Sequence, residues 1–313
     1  MRCSSEPRVS VVIPAYNAQD FIAETLESAL NQSFRAFEII VVDDGSCDGT
    51  HAIVDKYCDR GVTLLTQPNA GIGAARNRAL SVAQGELIAL LDSDDLWEPD
   101  YLHTMVGFLD RNPEVSIAFS EQLFFGKSKF SGRRYQEVYP PSPPITFAKL
   151  AGGISNVSIS ATLRRDVFAR VGLFEQGEAI RGGEDFDLWL RALHAGCRIE
   201  PVPCVLARYR RHVDSLSSST PMEKAALYAL GKWRGEKSLT APEREAVETA
   251  YLRIRSYLDV REAISHIHTG DYALALAALR RACEYNPKWR YRAARLGLAV
   301  WPGLTWVALR RMN

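Results

Sequence analysis

Short apolar runs alternate with stretches of helical periodicity along the N-terminal third of the chain. Residues 9–13 (VSVVI), 37–42 (FEIIVV), 62–65 (VTLL) and 86–91 (ELIALL) are apolar runs of strand length. Between the first two, residues 19–32 place Phe21, Ile22, Leu26, Ala29 and Leu30 at helical spacing. Asp48-Gly-Thr50 opens a second helix, to about residue 58, and Asn69-Ala-Gly-Ile-Gly73 leads into a third over residues 74–83. Strands alternating with helices predict βαβ units and a parallel, doubly wound α/β sheet. Right-handed crossovers leave few topologies open.

Three of these strands run into polar turns: Pro14-Ala-Tyr-Asn17, Asp43-Asp-Gly-Ser46 and Asp92-Ser-Asp-Asp95. In a parallel sheet all three lie on one edge, where ligands bind beyond the carboxyl ends of the strands. The last turn packs three carboxylates into four residues. Carboxylates that close repel one another, and burying them is costly. A divalent cation offsets both effects, and hard oxygen ligands suit Mg2+ or Mn2+, especially with phosphates completing the coordination. Read as local chemistry, the same turn is a solvated acidic loop capping the next helix. Tyr16 could stack on a flat base and Asp44 could accept an N–H from a base edge. Singly, one is also a core tyrosine and the other turn chemistry.

Further along, Trp97-Glu-Pro99 predicts a helix to about residue 112, since proline is favoured in a first helical turn. Residues 115–125 are apolar and read as strand. Periodicity then stops over residues 126–144, which carry Lys127, Lys129, Arg133 and Arg134 before Pro140, Pro141, Pro143 and Pro144. An exposed, mobile loop over the site is expected, either a ligand clamp or a solvated connection. Residues 158–163 predict a strand and residues 165–171 a short helix. Arg181-Gly-Gly-Glu-Asp185 forms a turn from which Asp185 opens an amphipathic helix bearing Leu188, Trp189 and Leu193. Its acidic residues by themselves suit the positive end of a helix. A strand from Val202 leads to Arg208-Tyr-Arg-Arg-His212.

Domain boundaries follow composition. Residues 1–214 form the α/β domain, residues 215–240 a linker starting on Ser215-Leu-Ser-Ser-Ser-Thr220, and residues 241–313 an α-helical appendage. Within the appendage, residues 242–269 and 273–286 are helical around a break at Gly270-Asp-Tyr272. That pair resembles a single tetratricopeptide hairpin. Residues 289–313 set arginines on either side of an apolar centre with Trp301 and Trp306, the pattern of an interfacial membrane anchor or of a terminal hairpin over core surface.

Composition narrows the classes. A net charge of +1 gives no footprint for bulk nucleic-acid binding. Six cysteines without Cys-x-x-Cys pairing argue against a thiolate metal site and for reduced thiols. The polar N-terminus lacks a signal-peptide core, and no run reaches bilayer length. A cytoplasmic protein is expected, with peripheral contact at the inner face of the plasma membrane as its membrane alternative.

Taken in order, Val9-Ser-Val-Val-Ile-Pro-Ala-Tyr-Asn17, Val42-Asp-Asp-Gly-Ser46 with Asp48-Gly-Thr50, Asn69-Ala-Gly71 with Ala75-Arg-Asn77, Gly85-Glu-Leu-Ile88 and Leu91-Asp-Ser-Asp-Asp95 resemble the inverting family 2 glycosyltransferases of the GT-A fold. The likeness runs from about residue 9 to residue 214. It implies sugar transfer from a nucleoside diphosphate donor, a UDP-sugar first, to a saccharide or lipid-linked acceptor in polysaccharide or glycolipid synthesis. On that likeness, Pro14, Ala15, Tyr16, Asn17, Asp44, Gly45, Arg76, Asp92 and Ser93 bind the donor. Tyr16 would stack on the base, Asp44 bond to it, Arg76 approach base or diphosphate, and Asp92 lie by the ribose. Asp94, Asp95 and His212 would hold Mn2+ or Mg2+, with Arg210 or Arg211 near the phosphates. Asp185 would be the catalytic base, with Glu184 as its alternative or as an acceptor-orienting group. A sugar nucleotidyltransferase is the rival enzyme, but the turn after the first strand lacks the glycine-rich basic loop such enzymes carry. A non-catalytic scaffold using the helical C-terminus is the rival outside catalysis.

Overall fold

The computed structural model describes residues 7–212 and 222–285, which divide into two compact units, one through Ala229 and the other from Leu230. The first unit is built on an eight-stranded sheet of order β3-β2-β1-β4-β7-β6-β8-β5. Its first half is the predicted parallel array: β1 (Val9–Ala15), β2 (Phe37–Asp43), β3 (Val62–Thr66) and β4 (Leu87–Leu90). The connecting helices are α1 (Ile22–Leu30), α2 (Thr50–Asp55) and α3 (Ile72–Leu80). Every residue of β1 is buried, because alternate side chains enter layers on opposite faces of the sheet. Val9, Val11 and Ile13 meet Ile22, Leu26 and Ala29 of α1 and Tyr101, Met105 and Leu109 of α4 (Tyr101–Arg111). The α3 helix packs on β1 and β2.

The second half of the sheet is mixed rather than parallel. Strand β7 (Ala161–Arg164) runs antiparallel to β4 and to β6 (Val115–Gly126). Strand β8 (Arg198–Arg211) is parallel to β6, and β5 (Leu96–Trp97) is antiparallel to β8. Beyond β4 the chain no longer repeats strand–helix–strand crossovers, and apolar runs do not encode direction. Trp97 therefore belongs to a strand, not to the start of the predicted helix. Its ring stacks on Tyr101 at 3.9 Å, and α4 begins only after Asp100.

The remaining helices of this unit are α5 (Tyr135–Val138), α6 (Phe147–Ala151), α7 (Asp166–Val171) and α8 (Glu184–His194). The loop at residues 126–144 is largely exposed, as expected, and also bonds to β6. Phe124 N–H donates to Arg133 O, Gly132 N–H donates to Phe124 O, and Lys149 Nζ donates to the carbonyls of Ser142, Pro143 and Pro144. Tyr135 and Tyr139 pack on the buried Phe124 ring at 5.6 and 6.4 Å.

The expected linker also contains structure. Residues Met222–Trp233 form α9, with Ala225 and Ala229 buried. Within the second unit, α10 (Ala241–Thr269) and α11 (Tyr272–Tyr285) make the predicted hairpin. Thr240 and Glu243 form a capping box at the start of α10, and Gly270 ends it in the left-handed conformation. Val260, Ala263 and Ile267 face Ala275, Ala278, Leu279 and Ala282 across the pair. Among the described residues no helix is long and apolar enough to cross a membrane. The candidate membrane segment at 289–313 and the serine-rich start of the linker lie outside the described residues.

The parallel core leaves no room at Gly85, where a Cβ would sit 2.5 Å from Ser10 N and 2.6 Å from Val9 C, both backbone atoms. Gly85→Ala should therefore lower unfolding free energy by about 2–3 kcal/mol in urea titrations. An unchanged midpoint would contradict the tight β1–β4 start.

Candidate active site

The carboxyl ends of β1, β2 and β4 open onto one cleft of about 600 Å3, a volume suited to a small-molecule ligand. Hydrogen bonds between loops fix their orientation. Asp48 accepts from Thr50 Oγ1 at 2.5 Å, and Thr50 Oγ1 in turn accepts the Ala18 N–H at 2.8 Å. Asn17, at φ +48°, accepts the Cys47 N–H on its Oδ1. Thr25 Oγ1 on α1 lies 2.9 Å from both the Ser93 and Asp95 carbonyls, tying the acidic loop to the helix beneath it.

Pro14, Ala15, Tyr16, Asn17, Asp44, Arg76, Asp92, Ser93, Asp94, Glu184, Asp185 and His212 all line this cleft. Thus nearly all of the sequence-predicted site residues converge. Tyr16 stands 43% exposed at the rim, with a ring face available for stacking. Asp44 is buried, and the loop after β3 already engages it. Its Oδ1 accepts from Gln67 Nε2 (2.7 Å) and Ala70 N (2.9 Å), and its Oδ2 accepts from Gly71 N (2.8 Å). Gly45 does not line the cleft. At φ +75°, its missing Cβ lets Asn69 N approach, since a Cβ there would lie 2.7 Å away. Its role is to seat that loop.

Three expectations change. Asp95, expected as a second metal ligand, is 3% exposed and absent from the cleft lining. Its Oδ1 accepts the Arg210 N–H at 2.8 Å, and burial, followed by the charges of Asp94 and Asp92, holds its carboxyl well above the usual range. Adjacent residues in a tight turn point opposite ways, so of this pair only Asp94 lines the cleft. Arg210, expected near phosphates, instead braces the acidic loop: Nε donates to Asp94 O (2.7 Å) and Nη2 to Glu24 (2.5 Å). Its guanidinium lies 4.4 Å from the Phe125 ring centroid. Arg76, expected on base or diphosphate, lines the cleft but is 1% exposed, and both of its Nη groups bond to protein carboxylates while its Nε has no hydrogen-bond partner. One Nη donates to Glu184 Oε1 and the other to Asp92 Oδ1, both at 2.7 Å. The first compact unit runs to Ala229, past the expected boundary at residue 214, and Met222 lines the cleft.

Glu184 and Asp185 begin α8, where the helix N-terminus favours negative charge. Their environments differ. Glu184 is buried between Arg76 and the Gly182 N–H, which donates to Oε2 at 3.0 Å. Asp185 is partly exposed, and burial, then the Glu184 charge, raises its carboxyl to about 7 against the opposing pull of Arg76. On the far wall, His212 Nε2 lies 3.0 Å from Asp94 Oδ2. No cluster of three His, Cys, Asp or Glu side chains able to share a cation forms among the described residues. One carboxylate and one imidazole facing the same space still fit a divalent cation whose other ligands come from a bound diphosphate. Sequence reasoning left Arg181, Ile159 and Tyr209 unassigned, although all three line the cleft. Tyr209 falls within the Tyr-Arg-x-His segment already singled out, and Arg181 borders the Gly-Gly turn.

This architecture is shared with solved enzymes. S. aureus TarS 1-349, in complex with UDP-GlcNAc, superposes with a TM-score of 0.66 over 97% of this chain and 90% of that one, at 18% identity. The mannosyltransferase PcManGT from Pyrobaculum calidifontis, in complex with GDP-Man and Mn2+, gives 0.59 over 99% and 88%, at 20% identity. These likenesses define a GT-A fold with a helical C-terminal region. Residues 10–172 match Glycosyl transferase family 2. A Bacillus subtilis protein provisionally named as the teichuronic acid biosynthesis glycosyltransferase TuaG is 31% identical over 79% of this chain and 92% of its own. The Escherichia coli UDP-Glc:alpha-D-GlcNAc-diphosphoundecaprenol beta-1,3-glucosyltransferase WfaP is 31% identical over 67% and 80%. The chain belongs to glycosyl transferase family 2 and is a glycosyltransferase.

Removing the arginine should leave Asp92 and Glu184 without their shared cation, with only the Gly182 N–H still donating to Glu184. Arg76→Met is expected to cost about 3 kcal/mol at pH 8, with Arg76→Lys recovering only part because an ammonium lacks the fork. The unpaired carboxyls then titrate above their unfolded values, so the deficit should shrink at pH 5 as they protonate. Denaturant unfolding at both pH values checks this, and a deficit that stays constant with pH would contradict the bridge.

Proposed function

We propose that the protein transfers a sugar from a nucleoside diphosphate donor to an acceptor hydroxyl, inverting the anomeric carbon. The observation that carries this reading is Asp185, a carboxyl poised near neutrality, opening onto the same cleft as the Asp94–His212 pair. Tyr16 stacks on the donor base, and Asp44, which retains acceptor capacity after its loop bonds, receives a base N–H. A UDP-sugar is the favoured donor, since the names of WfaP and of the TarS complex both carry one. Asp92 lies by the ribose, while Pro14, Ala15, Asn17 and Ser93 shape the donor floor. Asp94 and His212 hold Mn2+ or Mg2+, which when bound neutralises charge on the departing diphosphate.

Asp185 takes the proton from the acceptor hydroxyl. The acceptor oxygen bonds to C1 from the face opposite the diphosphate. As that bond forms, the C1–O bond to the diphosphate breaks, and its electron pair leaves with the nucleotide. Glu184, held by Arg76 and Gly182, keeps α8 in register and raises the basicity of its neighbour. A carboxyl near neutrality is a stronger base than an ordinary aspartate, yet about half of it is still ionised at pH 7. The acceptor is a saccharide, lipid-linked as the name of WfaP describes for that enzyme, and the pathway is cell-envelope polysaccharide or glycolipid synthesis at the cytoplasmic side.

Two outcomes test the assignment. Because the ionised form of Asp185 is active, kcat should rise tenfold per pH unit below about 7 and level off above it. Asp185→Asn should lower kcat by about 10^3 while leaving UDP affinity intact; a wild-type rate in this variant, or a profile flat from pH 5 to 8, would sink the base assignment. Separately, Asp94→Asn should weaken Mn2+ binding in the presence of UDP by more than about tenfold, whereas Asp95→Asn should leave it unchanged. Mn2+ titration followed by electron paramagnetic resonance distinguishes the two, and equal losses in both would restore Asp95 as a ligand.

A further inference from the structure

Past the end of β6 the chain turns back in a tip whose charge is all of one sign. From Gln122 to Gln136 the sequence holds Lys127, Lys129, Arg133 and Arg134 and no carboxylate. All four cations are exposed. Among the described residues their one ion pair joins Arg133 Nε to Glu137 at 3.8 Å, with both side chains about half exposed, so it cancels little of the charge. The whole chain carries only +1, which makes this tip a local excess and not a share of general basicity. The tip is also held in shape. Gly126 leaves β6 at φ +86°, where a Cβ would lie 2.7 Å from Arg211 O. Ser131 N–H donates to Ser128 O, and Gly132 N–H to Phe124 O. It stands beside the cleft: Gly126 pairs with Arg211 across β6 and β8, and Arg211 lies in sequence between Tyr209 and His212, which both line the cleft.

Exposed apolar side chains belong to the same piece of surface. Tyr139, on the same loop, is 38% exposed, and Ile154, at 64%, is the most exposed large apolar side chain among the described residues. The turn that carries Ile154 is bonded to the loop: Ser142 N–H donates to Ser155 Oγ at 2.9 Å, and Tyr135 Oη to Asn156 Oδ1 at 3.2 Å. A nucleic acid would satisfy the cations but offers nothing to an exposed aliphatic side chain. A bilayer with anionic headgroups over an apolar interior suits both. We propose that the 127–134 tip, with Tyr139 and Ile154 beside it, docks the catalytic unit on an anionic phospholipid surface. Each Lys or Arg held near such a surface strengthens binding roughly fivefold. Docking by this tip also answers an electrostatic conflict. Seven carboxylate side chains and only three basic ones line the cleft, so its mouth alone would be repelled by anionic lipid. The surface is inferred from charge and exposure; the transferase reading adds only what docking serves, which is to bring the cleft to a lipid-linked acceptor.

Co-sedimentation of the full chain with vesicles tests this, using pure phosphatidylcholine and equimolar phosphatidylcholine–phosphatidylglycerol as probes. Wild type should partition onto the mixed vesicles at least about tenfold more strongly than onto the neutral ones, and salt at about 0.5 M should release it. Lys127→Gln, Lys129→Gln, Arg133→Gln and Arg134→Gln combined should weaken binding to the mixed vesicles by about 100-fold or more. A control with the same loss of charge at other exposed cations, Arg35→Gln, Lys56→Gln, Arg78→Gln and Arg111→Gln, should keep most of it. Thermal midpoints should match wild type in both variants, which reports folding. Equal partitioning onto neutral and anionic vesicles, wild-type binding by the tip variant, or an equal loss in the control would overturn the proposal. So would binding of wild type to a duplex oligonucleotide but not to the mixed vesicles, which would assign the tip to nucleic acid. Failure of wild type to bind UDP would overturn the transferase reading and leave the docking surface standing.

Discussion

A single buried guanidinium holds the two halves of the catalytic cleft together. Arg76 projects from α3, with 1% of its surface exposed, and donates to Asp92 at the tip of β4 and to Glu184 at the start of α8. Burying a cation here is costly, and burying either carboxylate alone would be costlier than leaving it in water. Together the cation offsets most of the repulsion between the two carboxylates, and the planar fork matches both partners at once. The geometric consequence matters more than the energy. The strand tip that carries Asp94 and the helix that carries Asp185 are referenced to the same side chain. Asp94 and Asp185 can then face one cleft without their mutual repulsion opening it.

Smaller locks set the orientation of each strand end around this bridge. The β1 turn is pinned through Thr50 and Asp48, Asp44 is aimed by the Gln67–Gly71 loop, and Thr25 and Arg210 clamp the acidic loop from below. Each of these groups satisfies a polar atom that the sheet edge would otherwise leave unpaired. The cleft is accordingly preorganised, with the positions of its carboxylates fixed before any ligand arrives. The same principle extends to the neighbouring aromatic cluster, where Phe124 gathers Tyr135 and Tyr139 from a loop whose sequence carries no periodicity.

The parallel half of the sheet was legible because strand and helix periods report which face of each element is buried, and β1 to β4 repeat that alternation without interruption. Strand-end position was enough to nominate Tyr16, Asp44 and Asp94 for one edge, whereas Asp185, at a helix start, came only from the family resemblance. Direction and partnership were not legible. Nothing in an apolar run such as residues 115–125 says whether it runs up or down beside its neighbour. Arg76 and Glu184 are 108 residues apart in sequence, so their pairing exists only after folding. Asp94 and Asp95 are chemically identical neighbours, and only the turn geometry sends one to the cleft and the other to the Arg210 amide. Trp97 looked like a helix start because of Pro99, yet tertiary stacking on Tyr101 overrode that local preference.

The claim that Arg76 couples the tip of β4 to the start of α8 is tested most directly by a double-mutant cycle on Arg76→Met and Glu184→Gln, read by denaturant unfolding at pH 8. Coupling between residues in one buried ion network should amount to about 2 kcal/mol, so the double variant should be far less destabilised than the sum of the single variants. Additivity within about 0.5 kcal/mol would mean that the two side chains act independently, and the bridge could not be what holds the cleft.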